Sequence, residues 1–295
     1  NTLFDAAKEW LAGKGMQAMD GPINFGDRDM FWGLLVENFI HPMYGMNYNK
    51  PYYQALFENY GFRNYFNQYS FRKEINQRGL NPMVEEKARR LRENPDFEFR
   101  HIRKSEVKGM GENFRIIYNK AWGHFPGVVE MSAEQAAKLE KTIRPIVDPE
   151  LIYFAYYKGE AIGFFIMLPD INGAIKYLNG RFDLWAKLKF LYYLKVKKTC
   201  KIINAIVFGV LPEFQGKGIE SGIIDAVGET IAGSKRYTHM ELVWIGDFNP
   251  LMIRMVESYV NAYRYKTHVT YRYMIDPSVE FKRAPKVSAS RKVKA

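Results

Sequence analysis

The segment that most restricts this chain is IINAIVFGVL, residues 202–211, joined to a glycine-rich turn. A nearly unbroken apolar run of this length, rich in β-branched residues, suits a strand covered on both faces. Behind it comes PEFQGKG, the turn containing Pro212, Gly216 and Gly218. The apolar residues of Ile219 to Ala232 then recur at helical spacing. A buried strand that passes through a glycine-rich turn into a helix aims several backbone N–H groups and the positive helix end at one place. That arrangement suits a pyrophosphate. Gly216 and Gly218, lacking Cβ atoms, let the backbone approach an anion closely, and Lys217 adds charge at the rim.

Two common phosphate-binding patterns do not fit. A P-loop needs Gly-x-x-x-x-Gly-Lys followed by Ser or Thr, whereas Lys217 is followed by Gly218 and Leu211 stands where the first glycine is required. A dinucleotide fingerprint needs Gly-x-Gly-x-x-Gly directly after the strand. Here Pro212 to Gln215 intervene and Ser221 occupies the third glycine position.

Elsewhere, periodicity predicts helices over Thr2–Lys14, Asp27–Phe39, Pro51–Tyr60, Asn81–Arg92, Ser105–Trp122, Ser132–Ile146 and Pro250–Ala262. The first would place Leu3, Phe4, Ala7, Trp10 and Leu11 on one face. Strands are expected within Met16–Phe25 and over Phe66–Phe71, Phe97–Arg103, Leu151–Tyr157, Ala161–Leu168, His239–Ile245 and Val269–Ile275. Lys158-Gly159-Glu160 would close a hairpin. Interleaved helices and strands of this kind indicate an α/β class.

The turn reads as strand-Val-x-Pro-x-x-Gln-x-x-Gly-x-Glu-helix, with Val210, Pro212, Gln215 and Gly218 in register. It resembles the coenzyme A loop of the GNAT superfamily of N-acetyltransferases, where Gly or Ala is usual at the position of Glu220. Element order from Phe97 to Ile275 is similar to that family's, and the segment WIGDFNPLMIRMVE, residues 244–257, looks like its second conserved region. Residues 47–62 (NYNKPYYQALFENYGF) are similar to the same region again. The resemblance implies a mixed, mostly antiparallel central sheet flanked by helices, with a second, partial GNAT-like unit at the N-terminus. The expected division is 1–80 for the partial unit, 81–280 for the acetyltransferase domain and 281–295 for a flexible basic tail.

It also implies acetyl-CoA as acyl donor and direct attack of an amine, small or peptidic, on the thioester. Val210, Leu211, Gln215, Gly216, Lys217, Gly218, Ile219 and Glu220 would hold the cofactor, with Asn249 on its arm. The family tyrosine seven residues after that asparagine is replaced by Val256. Tyr259 and Tyr263 are the nearby substitutes, Tyr259 being the candidate acid. Glu241 is the candidate base, facing either the cleft or solvent, and His239 is a structural residue or a second titratable group. A noncatalytic GNAT-like module that keeps the cofactor or a metabolite is the alternative, to which Glu220 and Val256 point.

Composition narrows the remaining classes. The chain has 295 residues and a formal net charge of +11. The tail from Phe281 holds six basic residues and no acid, and residues 171–200 hold seven basic residues against Asp183, so the rest is close to neutral. A specific nucleic-acid partner is therefore not expected. The one cysteine, Cys200, excludes an intrachain disulfide and a multi-cysteine metal site, and the five histidines form no i,i+3 or i,i+4 pair. No metal is expected, no apolar run is long enough for a transmembrane segment, and the default setting is reduced and cytoplasmic. The basic insertion 171–200 carries an amphipathic helix with Leu184, Trp185, Leu188, Leu191 and Tyr192 in one stripe beside Lys187, Lys189 and Lys195. Four roles stand open for this helix: a lid on the substrate cleft, docking on the first domain, peripheral contact of 182–198 with an anionic membrane, or, the favoured reading, packing on the body with a solvated basic edge.

Overall fold

The computed structural model describes residues 2–23, 33–75, 79–123 and 129–286. Its contacts define two compact units. One comprises Asn1–Phe71, Val243–Val256 and Tyr263–Ala295; the other comprises Arg72–Leu242 and Glu257–Ala262. The sequence divides the chain at residue 80, whereas in space the first unit also takes in two segments from beyond residue 242.

In the first unit the chain begins with α1 (Thr2–Ala12), β1 (Ala18–Gly21), β2 (Leu34–Glu37) and α2 (Tyr52–Tyr60). Phe4, Ala7 and Leu11 of α1 pack on a core of Met19, Leu34, Phe57, Phe62, Val269 and Tyr271, while Leu3 and Trp10 stay exposed. The rings of Phe4, Phe57 and Phe62 lie about 5 Å apart, each tilted or edge-on to its neighbours. The sheet centres on β9 (Tyr263–Met274), which takes β1 from Ala18↔Met274 to Gly21↔Tyr271 and β2 from Leu34↔Val269 to Glu37↔Thr267, both antiparallel. Strand β3 (Arg63–Glu74) follows on its other side.

The expected helix Asp27–Phe39 is thus corrected over Leu34–Glu37, which is strand; residues 27–32 lie outside the described residues. The reason is the partner: Leu35 is paired with His268 of β9. On its other side, the Asn49 side chain accepts from the Leu35 N–H at 2.8 Å and donates to its carbonyl at 3.0 Å. Helix α2 ends where expected, with Gly61 at φ 106°.

The second unit carries α3 (Pro82–Arg92), β4 (Phe97–His101), α4 (Met110–Trp122), α5 (Ala133–Ile143), β5 (Ile152–Tyr157) and β6 (Glu160–Pro169). Next along the chain are the short α6 (Asn172–Ile175), α7 (Leu184–Leu191), β7 (Ile202–Val210) and α8 (Ile219–Ala232). The first residues of β8 (His239–Gly246) complete it. Strands β4, β5, β6 and β7 are antiparallel neighbours in that order, and β7 pairs with β8 in parallel through the α8 crossover. Lys158 and Gly159 turn the β5–β6 hairpin with φ of 50° and 84°.

Neighbouring residues show which helix covers which face. A Cβ on Gly163 would meet Ile223 of α8 at 3.3 Å, while the ring of Phe164 lies 4.9 Å from Phe114 of α4. Side chains alternate along a strand, so α8 and α4 cover opposite faces. Gly222 lets α8 settle on β4, because a Cβ there would come within 2.4 Å of the Phe99 ring. The expected helix from Ser105 is split: Lys104–Val107 forms a 3-10 turn, and Gly109 at φ 104° starts α4 afresh. Helix α5 opens on a capping box, Ser132 with Gln135, a Ser-x-x-Gln spacing that the sequence displays.

Helix α7 does not bury the stripe that its sequence suggests. Ala186 is buried and Phe190 and Leu194 pack with Ala174 and Cys200, whereas Leu184, Trp185, Leu188, Leu191 and Tyr192 are all exposed. Burial also pushes the Cys200 thiol up to about 11.

Glu140 of α5 fixes the start of α4 by accepting from the Gly109 and Gly111 N–H groups at 2.9 and 3.1 Å and from Arg144 at 2.7 Å. Burial acts to raise its pKa, but these donors outweigh it and hold the carboxyl below the ordinary range. Replacing it, as Glu140→Ala, is expected to destabilise the chain by about 1–3 kcal/mol in urea unfolding at neutral pH. The folded pKa is the depressed one, so the difference from wild type should be full above the ordinary carboxylate range and shrink as pH falls through it. An unchanged urea midpoint would remove Glu140 from this role.

Candidate functional site

The site begins where β7 runs into its turn. Strand β7 pairs with β6 from Pro169↔Ile203 to Gly163↔Val210, with a bulge opposite Ile166 and Met167 that leaves Ile206 unpaired on that side. On its other side, Ile202↔His239 to Ala205↔Leu242 pair in parallel with the first residues of β8.

The turn after β7 is stiff. Leu211 N–H donates to Ile162 at 2.9 Å, Pro212–Phe214 forms a 3-10 turn, and Gln215 Nε2 donates back to the Val210 carbonyl at 2.9 Å. Gly216 and Gly218 have φ of 73° and 90°, the left-handed region that glycine enters without penalty. The first helical bond of α8 is Gly222 N–H to Gly218. The N–H groups of Gly216, Gly218, Ile219, Glu220 and Ser221 thus have no backbone acceptor among the described residues. Lys217 is exposed, its ammonium 5.3 Å from the centre of the Phe214 ring. Glu220 stands in the first turn of α8, where a carboxylate suits the helix dipole but would face an incoming anion.

Two residues that the sequence did not point to complete this end. A Cβ on Gly218 would lie 3.4 Å from Leu91 and 3.9 Å from Lys87, both on α3. The Lys87 ammonium stands 5.9 Å from the centre of the Tyr259 ring, and the Tyr259 carbonyl accepts from Asn81, the N-cap of α3. Lys87 thus lies beside both Gly218 and Tyr259. Their i,i+4 spacing on α3 was legible, but a helix this charged gave no reason to choose Lys87 and Leu91 over its other residues.

Glu241 is opposite Asn204 in the β7–β8 pair, about 20 Å along the strand from Val210. It is 2% exposed, which removes the solvent-facing alternative. Met240 lines a small apolar cavity with Ile224 and Val227 of α8, so Glu241 and His239 point to the other face of the sheet. His239 Nε2 is 4.0 Å from Glu241 Oε1, and the Asn204 Oδ1 atom is buried without a hydrogen-bond partner. Asn249 belongs to the first unit, where its Oδ1 caps the helix Pro250–Ser258 (α9) through the Met252 N–H at 3.2 Å. Val256 is buried in α9, and Tyr259 follows the helix in a turn. Among the described residues no three His, Cys, Asp or Glu side chains gather as metal ligands.

This succession of strands is that of the GCN5-related N-acetyltransferase fold. A solved structure of the GCN5-related glucosamine N-acetyltransferase region in a fungal multi-domain GH3 beta-N-acetylglucosaminidase superposes with a TM-score of 0.50 at 13% identity, covering 92% of this chain and 27% of that one. By sequence the chain is similar to Protein YghO of Escherichia coli, at 27% identity over 278 residues, and to a bacterial ceramide synthase of Caulobacter vibrioides, at 26% over 276 residues. Each match takes in 92% of this chain and 70% of the relative. No protein-family model matches the chain.

The brace from Gln215 to Val210 is the contact that sets the path of the turn. Gln215→Ala is expected to cost about 1 kcal/mol and to speed amide exchange at Leu211 and Phe214 while the amides of β6 keep their protection. Equal protection in both proteins would show that the turn holds its shape without it.

Proposed function

We propose that this protein is an acyl-CoA-dependent N-acyltransferase. The observation that carries the reading is the row of N–H groups from Gly216 to Ser221, four of them at the start of α8, that no backbone carbonyl among the described residues accepts. Such a row fits a diphosphate, and the open space beside Gly216 leaves the backbone accessible to one; Glu220 is the one group in it of the wrong charge. Bound acyl-CoA would supply the activated thioester. Toward it, the N–H groups of the turn, with Lys217 and Lys87 at its rim, hold the phosphates. Backbone groups at the end of β7, which runs directly into this turn, are the nearest candidates to receive an extended arm and to donate an N–H to the thioester oxygen.

Glu241, buried with His239 beside it, takes the proton from the attacking amine and passes it to the departing thiolate. Tyr259, the acid that the sequence offers, lies beside Lys87 at the phosphate end, where it suits a contact with the cofactor's phosphates instead. The relative named for ceramide synthesis supports a lipid amine as acceptor and a fatty acyl group as the one moved. Asn249 is a helix cap in this reading, and any further role on the cofactor arm is a proposal.

Calorimetric titration with acetyl-CoA and palmitoyl-CoA tests binding, and thiol release with a panel of lipid, small and peptide amines tests transfer. Gly218→Asp puts a side chain at φ 90° and a second carboxylate into the row of N–H groups, and should weaken binding by about ten-fold or more with the circular dichroism unchanged. Absence of binding to any acyl-CoA would overturn the reading. Binding without thiol release from any amine would favour a cofactor-holding module instead, a reading to which the Glu220 carboxylate in the phosphate row lends support.

A further inference from the structure

Helix α7 and the π-helical turn Tyr192–Val196 after it have two apolar faces. The inner one is used. Ala186, Phe190 and Leu194 recur at four-residue spacing; Ala186 is buried, Phe190 and Leu194 pack in the cluster of Ala174, Cys200 and Ile146, and Tyr193 stacks on Tyr177 with ring centres 4.0 Å apart. The turn is therefore firmly seated on its own unit. The outer face comprises Leu184, Trp185, Leu188, Leu191 and Tyr192, with Phe182 just before it and Val196 after it, all exposed. Trp185 is 79% exposed, Phe182 76% and Leu184 71%. Large side chains left this open in one contiguous group mark a surface built for a partner.

The charges around it say what kind. At 3.6 residues per turn, Lys187 and Lys189 lie on the two borders between the inner and outer faces. Arg181, Lys197 and Lys198 are exposed at the ends. Asp183, the one acid in the segment, is engaged: it caps α7 through the Ala186 N–H at 2.8 Å and meets Arg181 at 3.3 Å. Lys195 is turned to the body, where its ammonium donates to the Val147 carbonyl at 3.1 Å. The result is an apolar ridge with an indole and a phenol, edged by cations on long flexible stems. Protein surfaces offer no general reason for cations on every border of an apolar face. A bilayer does, because hydrocarbon lies under the ridge and anionic headgroups surround it.

We propose that the outer face of residues 182–196 seats this protein on an anionic membrane surface, with the side chains of Phe182, Leu184, Trp185 and Leu188 entering the headgroup–acyl boundary. The contact is peripheral, since no helix among the described residues is long and apolar enough to cross a membrane. It does not depend on the acyltransferase reading, because none of its residues belongs to the β7 turn.

Flotation of the full chain with phosphatidylglycerol-rich vesicles, and with phosphatidylcholine vesicles as control, reads it directly. Wild type should float with the anionic vesicles and lose most of that binding at high salt. The triple substitution Leu184→Glu/Trp185→Glu/Leu188→Glu alters only exposed side chains. It should keep the wild-type melting temperature and lower the vesicle-bound fraction by about ten-fold or more. Lys187→Glu/Lys189→Glu should reduce binding to the anionic vesicles alone. Failure of wild type to float, or equal flotation of the triple variant, would overturn the proposal. So would a wild-type dimer that the triple variant breaks, with no vesicle binding by either, since the ridge would then be a face between two copies of the chain.

Discussion

The closeness of α8 to its sheet is the constraint on which the rest of the second unit depends. Nine of the fourteen residues of α8 are buried, and Gly222 gives up its side chain so that the Phe99 ring can lie against the helix backbone. Gly163 does the same on β6, where Ile223 fills the space. A helix held this low cannot shift along its axis without losing both contacts, so its first turn is fixed against the end of β7. Helix α3 is tied to it in turn by Arg92, which meets the fully buried Asp225 and, at 2.7 Å, Glu229. That pairing holds Lys87 and Leu91 beside Gly218. Close packing, more than any particular polar group, decides where the free N–H groups end up.

The second determinant is the bulge at Ile206. It shifts the register of β7 against β6, so Val207 to Val210 stay paired with β6 and deliver the chain directly into the glycine turn. Before the bulge, β7 holds the parallel pair that sets Glu241 opposite Asn204, with His239 two residues away on the same face.

How much of this was legible varied with the range of the interactions concerned. The β7 turn, the Lys158-Gly159 hairpin and the Ser132 capping box are local devices, and each stands where sequence alone places it. The segment Leu34–Glu37 was misjudged because its strand character comes from β9, more than two hundred residues later, and from the Asn49 side chain. Helix α7 shows a different limit. Periodicity identified the apolar stripe correctly, but Ala186, Phe190 and Leu194 make a second one, and a wheel cannot say which of two faces meets the body. Glu241 was singled out as a candidate by its position on the strand after α8, while its burial and its neighbour Asn204 depended on a parallel register that no local pattern encodes.

Within the first unit, β1 and β2 both depend on β9, more than two hundred residues further along the sequence, with Asp20 of β1 holding Arg272 through two hydrogen bonds of 2.6 and 2.8 Å. A ribosome makes the earlier partners first. Roughly 200 residues separate Phe71 from the end of β9, a delay of about 10–40 s at usual elongation rates. During that interval Met19, Leu34, Phe57 and Phe62 lack Val269 and Tyr271, the two residues of β9 in their core, so this cluster closes only after translation has passed residue 274.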